Sequence, residues 1–339
     1  MLFMISIINN SPNVDMQQYL NAKRRICSHN IIFAQNLHCE RLKTDMISSI
    51  SLRNSFSIKI VADLLLGFIL TIRLKLKSVR LILFDSAHIS NIPVAIFAKI
   101  LRIKLVFTLH DWVPHDGRMK KATQIYNYVI TKFLADHLIC FSKIQSNLPH
   151  SVLTLSGYQS NFDDSKISND TFIFFGRMEP YKGIENLIPI AKRLNDLMPS
   201  AKIQIYGAGY DPALIDLVKL NNVEVYNNFI SEENLNNSLK SAIAVLVPYN
   251  SATQSGVVVK SFSQGVPVVA FNVGAMSSYI QDGYDGYIVK HKDINTFCDR
   301  MVEASNNRIL LNKNIRDSFE SKYGISSLVK QYEQLLKDL

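Results

Sequence analysis

One pattern limits what this chain can fold into. Short apolar, β-branched runs recur along its whole length, separated by longer stretches with helical spacing. The runs are LFMISII, NIIFAQ, RLILFD, KLVFTLH and HLICF in the first half, then TFIFFG, KIQIYG, VEVY, IAVLVPY and VPVVAF. Between them apolar residues return at i, i+3 and i+4, as at Ile184, Leu187, Ile188 and Ala191. Buried strands alternating with amphipathic helices predict an α/β fold with parallel sheets covered on both faces. A length of 339 residues suits two doubly wound domains of about 150 residues each. The polar segment SGYQSNFDDSKISND, Ser156 to Asp170, lacks any apolar period and reads as a linker. Domains are therefore expected over 1–158 and 159–320, with SSLVKQYEQLLKDL forming a helix within 321–339.

Apolar residues make up 47% and charged residues 19% of the chain, which excludes a disordered class. The net charge of +9 is unevenly placed. Residues 1–150 hold nineteen Lys and Arg against eight Asp and Glu, while the remainder holds eighteen against twenty. A basic first half suits nucleic acid, an anionic membrane surface or a phosphate-bearing substrate, and equally a generally basic protein. Nucleic acid is the weakest of these, because the basic residues lack interleaved aromatics at a stacking spacing.

Cys27, Cys39, Cys140 and Cys298 are scattered, with no Cys-x-x-Cys pair, and read as reduced core thiols of a cytoplasmic protein. MLFMISIINNSP has no basic lead and reads as a first strand rather than a secretory signal. The most apolar stretch, Leu64 to Ile72, is too short for a bilayer, which needs about 20 residues. With Asp63 before it and Arg73, Lys75 and Lys77 after it, it is expected in an amphipathic helix.

Ligands of doubly wound sheets bind beyond the carboxyl ends of the strands. Four segments there carry chemistry. In FIFFGRMEPYKGIENL a buried strand ends at Gly176, Arg177 follows, and Lys182–Gly183 precedes a helix. Two cations beside a helix N-terminus suit a phosphate, although a solvated loop offers the same residues. In KIQIYGAGYDPAL the Gly207-Ala208-Gly209 turn lets backbone approach a ligand, or is only tight. VLVPYNSATQSGVVVK offers a donor-rich helix start at Thr253, Gln254, Ser255, Gly256 and Val257, or a plain N-cap. KLVFTLHDW ends a strand at His110.

Together with GVPVVAFNVGA, DGYDGYIV and ADHLICFS, these segments resemble the retaining glycosyltransferases of the GT-B fold, specifically family four. The resemblance implies two facing Rossmann-like domains with a cleft, and a C-terminal helix crossing back to the first domain. It implies that Arg177 and Lys182 neutralise the diphosphate of a UDP- or GDP-sugar without a metal or other cofactor. It places Gly176, Gly207, Gly209, Thr253, Gln254, Ser255, Gly256, Val257 and Lys260 around the donor. His110 would act near the sugar, and Phe229 and Ile230 near the base. The acceptor would be a glycan or lipid-linked glycan at the inner face of the plasma membrane, reached through the basic first half, with no nucleic acid involved.

Three departures follow. The two glutamates usual in the family fall on Ala252 and Lys260, and a lysine can donate but not accept from ribose hydroxyls. Ser278 stands where an acid is usual. INNSPNVD replaces the glycine-rich loop after the first strand. The missing glutamates keep a second reading open, a catalytically weak partner subunit, and a third, a GT-B sugar-nucleotide epimerase or hydrolase.

Overall fold

The computed structural model describes residues 5–9, 29–32, 45–47, 56–87, 91–110, 120–162 and 170–339. They divide into two compact units, one comprising the described residues up to Gly157 with Leu328–Leu339, the other Tyr158–Ser327.

The first unit holds a parallel sheet of seven strands in the order β3-β2-β1-β4-β5-β6-β7. Its strands are β1 Ile5–Asn9, β2 His29–Ile32, β3 Asp45–Ile47, β4 Leu81–Phe84, β5 Lys104–Leu109, β6 His137–Cys140 and β7 His150–Val152. β4 and β5 are almost wholly buried, and Phe84 stacks on Phe107 with centroids 4.4 Å apart. The described helices are α1 Phe56–Leu76, α2 Asn91–Ile100 and α3 Lys120–Val129, the last running into a π-helical turn at Ile130–Leu134. α1 buries Leu70, Thr71 and Leu74, and α2 buries Val94, Ala95 and Ala98. The two helices meet at Gly67, where an added Cβ would lie 3.0 Å from Pro93 Cβ. Leu64 to Ile72 thus forms part of a 21-residue helix. Among the described residues no helix is long and apolar enough to cross a membrane.

The second unit holds a parallel sheet of six strands in the order β10-β9-β8-β11-β12-β13. These are β8 Thr171–Phe175, β9 Lys202–Tyr206, β10 Val223–Tyr226, β11 Ala244–Val247, β12 Val268–Phe271 and β13 Gly286–Val289. Its helices are α4 Leu187–Leu197, α5 Leu214–Leu217, α6 Glu232–Ser241, α7 Gly256–Ser263, α8 Met276–Tyr279, α9 Ile294–Asn306 and α10 Arg308–Lys322. α11, Ile325–Asp338, follows, and from Leu328 onward it belongs to the first unit. There Gln331 Oε1 accepts from Thr154 N at 2.7 Å, and Lys104 Nζ donates to the Leu339 carbonyl at 2.8 Å.

The expected α/β class with parallel sheets is what forms. Three strands were not foreseen. β3 and β7 are three-residue edge strands, and β7 alternates half-buried and exposed residues instead of forming an apolar run. β13 begins on a glycine, and a side chain there would strike the Val268 carbonyl of the neighbouring strand. The expected linker is also less open than its composition implies. Tyr158 N donates to Tyr323 O at 3.2 Å, and the Phe162 ring stands edge-on to Phe319 at 5.9 Å. Residues 163–169, the segment NSPNVD after β1, and Cys27 and Cys39 lie outside the described residues.

Cys140 and Cys298 are buried free thiols. Burial pushes them up to about 11 and about 12, so neither ionises near neutral pH. Since the thiolate is the nucleophile, both should resist a thiol reagent at pH 8 in the native protein and react after unfolding. Mass mapping of the labelled peptides checks this.

Candidate active site

The second sheet changes direction at β8, which lies between β9 and β11. In open α/β sheets such a switch point, beyond the strand ends, is where ligands bind. The loops leaving β8 and β11 both carry residues singled out from the sequence.

After β8 the chain turns at Gly176, with φ +122°, then passes exposed Arg177 and buried Met178. Pro180–Lys182 form one 3₁₀ turn and Ile184–Asn186 another, before α4 begins. Lys182 is only 6% exposed. A Cβ at Gly176 would strike Lys182 Nζ and lie 3.8 Å from Val257 Cγ2, so the ammonium sits over Gly176 beside the first turn of α7. Nζ is also 5.2 Å from the centroid of the Tyr249 ring, a favourable cation–π distance. Tyr249 Oη is buried with no hydrogen-bond partner among the described residues. Burial, with a smaller contribution from Tyr181, pushes that phenol well above its ordinary value.

The loop after β11 is tied to the loop after β8. Asn186 Nδ2 donates to the Pro248 carbonyl at 2.9 Å, Asn250 N to the Tyr181 carbonyl at 2.8 Å, and Asn250 Nδ2 to Glu185 Oε1 at 2.7 Å. Thr253 and Gln254 are half-buried, and Ser255 is buried. Ser255 Oγ accepts from Val258 N at 3.3 Å, capping α7 and leaving its other first-turn N–H groups for a ligand. Gly256 has room for a side chain only up to Tyr158 Oη, 3.3 Å from an added Cβ. Ala252, where a glutamate is usual, is buried, and its carbonyl accepts from Ala275 N at 3.1 Å.

Gly207 and Gly209 approach the chain itself. A side chain at Gly207 would strike the Gly176 carbonyl, and one at Gly209 would lie 3.0 Å from Met178 Cβ. They let the two turns pair through Gly176 N to Tyr206 O at 2.9 Å and Met178 N to Ala208 O at 3.1 Å. The room that the glycines create is thus filled from within.

Phe229 is 83% exposed and Ile230 half-buried, in the loop between β10 and α6. At the start of α6, Glu232 Oε1 receives Lys260 Nζ at 2.8 Å, with the Lys260 side chain 14% exposed. The pair joins α6 to α7 and sets a carboxylate beside the position where the sequence lost one. Glu232, Tyr249, Asn186 and Asn250 were not singled out from the sequence. No spacing signals Glu232, since 28 residues separate it from its partner.

His110 belongs to the first unit. Its ring stacks on Phe141, with centroids 5.3 Å apart, and Nε2 lies 3.0 Å from the Asp85 carbonyl. A carbonyl can only accept, so Nε2 carries the proton in that bond. Asp85 is fully buried and accepts from Thr108 Oγ1 at 3.3 Å. Among the described residues no group of three or more His, Cys, Asp or Glu could hold a metal ion.

Two parallel doubly wound units, one carrying cations at its switch point, define the GT-B class of fold. Solved structures bear out the fold. Sucrose-phosphate synthase from Thermosynechococcus elongatus has TM-score 0.74 at 14% identity, covering 99% of this chain and 98% of that one. Anabaena HepE in complex with UDP and glucose has TM-score 0.74 at 14% identity, covering 99% and 100%. Residues 169–307 match the family described as glycosyl transferases group 1. A curated relative is the UDP-Gal:alpha-D-GlcNAc-diphosphoundecaprenol alpha-1,3-galactosyltransferase of Escherichia coli. It is 22% identical over 185 residues, 51% of this chain and 47% of that enzyme. The chain thus spans about half the length of that relative.

Proposed function

We propose that the protein transfers a sugar from a UDP- or GDP-sugar to a glycan or lipid-linked glycan, with retention of configuration and without a metal. The observation that carries this is the Lys182 ammonium, buried over Gly176 at the sheet's switch point and beside the first turn of α7. An anion is what such a cation and an open helix N-terminus bind together. On this reading Lys182 and Arg177 stabilise the diphosphate as the bond from the anomeric carbon to it breaks. The acceptor oxygen bonds the anomeric carbon on the same face, and its proton passes to the departing diphosphate. Charge then develops on the leaving group, where fixed donors contribute most to the rate. Ser255, Gln254 and Gly256 hold the distal phosphate and the sugar. His110 acts near the sugar, and Phe229 and Ile230 border the base.

Glu232 takes over the ribose hydroxyls in this scheme, held in place by Lys260. Glu232→Gln should then raise the KM for the donor about tenfold, the lower range for a hydrogen bond to a charged group, with kcat little changed. The kinetics of the purified variant check this.

The test of the whole reading is transfer from a panel of UDP- and GDP-sugars to a lipid-linked glycan, with calorimetry of each donor. Transfer should persist in EDTA. Tight donor binding with turnover overturns the partner-subunit reading, and no binding of any donor supports it, a reading that the loss of both glutamates motivates. Release of free or epimerised sugar without an acceptor points to a hydrolase or epimerase. The named E. coli relative acts on a diphosphoundecaprenol-linked sugar, and such an acceptor here would lie at a membrane. The basic first half suits that surface.

A further inference from the structure

α1 and α2 each carry two apolar stripes, although a helix laid on a sheet needs only one. Their inward faces bury Leu70 and Leu74, and Val94 and Ala98. Their outward faces expose Leu65, Phe68, Ile69 and Leu76 on α1, and Ile96 and Ile100 on α2. Leu76 is 79% exposed and Ile100 is 69% exposed. At 100° per residue the outward set of α1 centres nearly opposite its buried set. The two helices pack at Gly67, and the Phe68 ring meets the Phe97 ring edge-on at 5.2 Å. The outward residues therefore form one ridge. Single exposed apolar side chains are ordinary, but six on two touching helices mark an interaction surface.

Charge selects the partner. Residues 56–104 contain eight Lys and Arg against two Asp, and one of those, Asp85, is fully buried. α1 leads into β4 and α2 into β5, which are parallel neighbours, so both helices end at the same edge of the unit. Exposed Arg73, Lys77, Arg80 and Arg102 gather at that edge. None of the four makes an ion pair with a described residue. An apolar ridge bordered by cations that pair with no described residue matches a bilayer interface with anionic headgroups.

We infer that the outward face of α1 and α2 docks on an anionic lipid surface, inserting Phe68, Ile69 and Ile100 while Arg73, Lys77 and Arg102 meet headgroup phosphates. This deepens the membrane part of the proposed function and rests on that reading for the choice of a lipid over another apolar partner. Donor binding plays no part in it.

Co-sedimentation tests it, with vesicles of phosphatidylcholine alone and vesicles that also contain phosphatidylglycerol. The protein should partition at least about tenfold more strongly to the anionic vesicles. Arg73→Glu with Lys77→Glu should weaken this about fivefold or more per charge, the equivalent of about 1 kcal/mol. Ile69→Ser with Ile100→Ser should weaken it about tenfold. These side chains are exposed, so the variants should melt with the parent. Phe68→Gln with Ile96→Gln is the second pair should one misfold. Calorimetry of the donor on the same samples separates this proposal from the donor reading, because donor binding should be unchanged in every variant. Equal binding to both vesicle types, no binding to either, or variants that bind like the parent would overturn the inference. So would a dimer that the serine variants convert to monomer with vesicle binding intact, since the ridge would then be covered by a second copy.

Discussion

Under the proposed function, Lys182→Ala is expected to slow sugar transfer by about 10²–10³-fold, the range found when one preorganised donor to a developing anion is removed. The ammonium is almost wholly out of water, over Gly176 and against the face of Tyr249. A cation there is stabilised in part by the ring, and more by a bound anion. Lys182→Arg should not restore the rate, since a planar fork does not fit the space over Gly176 that a compact ammonium fills. Exposed Arg177 meets more solvent screening, so Arg177→Ala should cost less, about tenfold. Single-turnover rates at saturating donor measure the chemical step, and thermal melts confirm that the variants fold. A Lys182→Ala rate within about threefold of the parent would end the leaving-group assignment.

Gly183→Ala is expected to destabilise the protein by about 2–4 kcal/mol. Gly183 has φ +62° and ψ 42°, a left-handed conformation that costs a residue with a Cβ roughly 1–2 kcal/mol. The added carbon would also strike the Pro248 carbonyl, a backbone atom that cannot swing aside. That carbonyl accepts from Asn186, so the clash pushes apart the two loops that hold the candidate site. Gly283→Ala is the control. Gly283 has φ +73° with nothing within 4 Å of an added Cβ, so only the conformational cost applies. Chemical denaturation of both variants separates the two contributions. Similar losses at the two positions would show that the Pro248 contact is relieved by relaxation.

Much of the fold was legible in the sequence for one physical reason. A strand buried on both faces must be apolar throughout, so β4, β5, β8, β11 and β12 announce themselves as runs. β3 and β7 lie at sheet edges and are too short to form such a run. β13 opens on a glycine demanded by the close Val268 carbonyl, which no local pattern reveals. The outward ridge of α1 and α2 was hidden in the same way. LLLGFILTI reads as apolar but not as two-faced until the packing at Gly67 shows which residues are spent on the core.

The candidate site divides similarly. Arg177, Lys182 and the Ser255 cap could be read by residue type and spacing, because strand ends and helix starts leave local marks. Contacts between distant residues leave none. Asn186 reaches Pro248 across 62 residues, and Lys260 reaches Glu232 across 28. The Gly207-Ala208-Gly209 turn left two readings open, room for a ligand or only a tight turn, and local sequence does not show that Gly176 and Met178 pack against its two glycines.

The sequence by itself determined that this chain forms parallel α/β sheets and that cations follow β8, since periodicity and strand-end position are local properties. Tertiary structure alone decided that Lys182 is buried against Tyr249, that Lys260 is committed to Glu232, and that the outer face of α1 and α2 is left apolar and uncovered. Those outcomes depend on which residues meet across the chain, and burial and charge pairing are set only by that meeting.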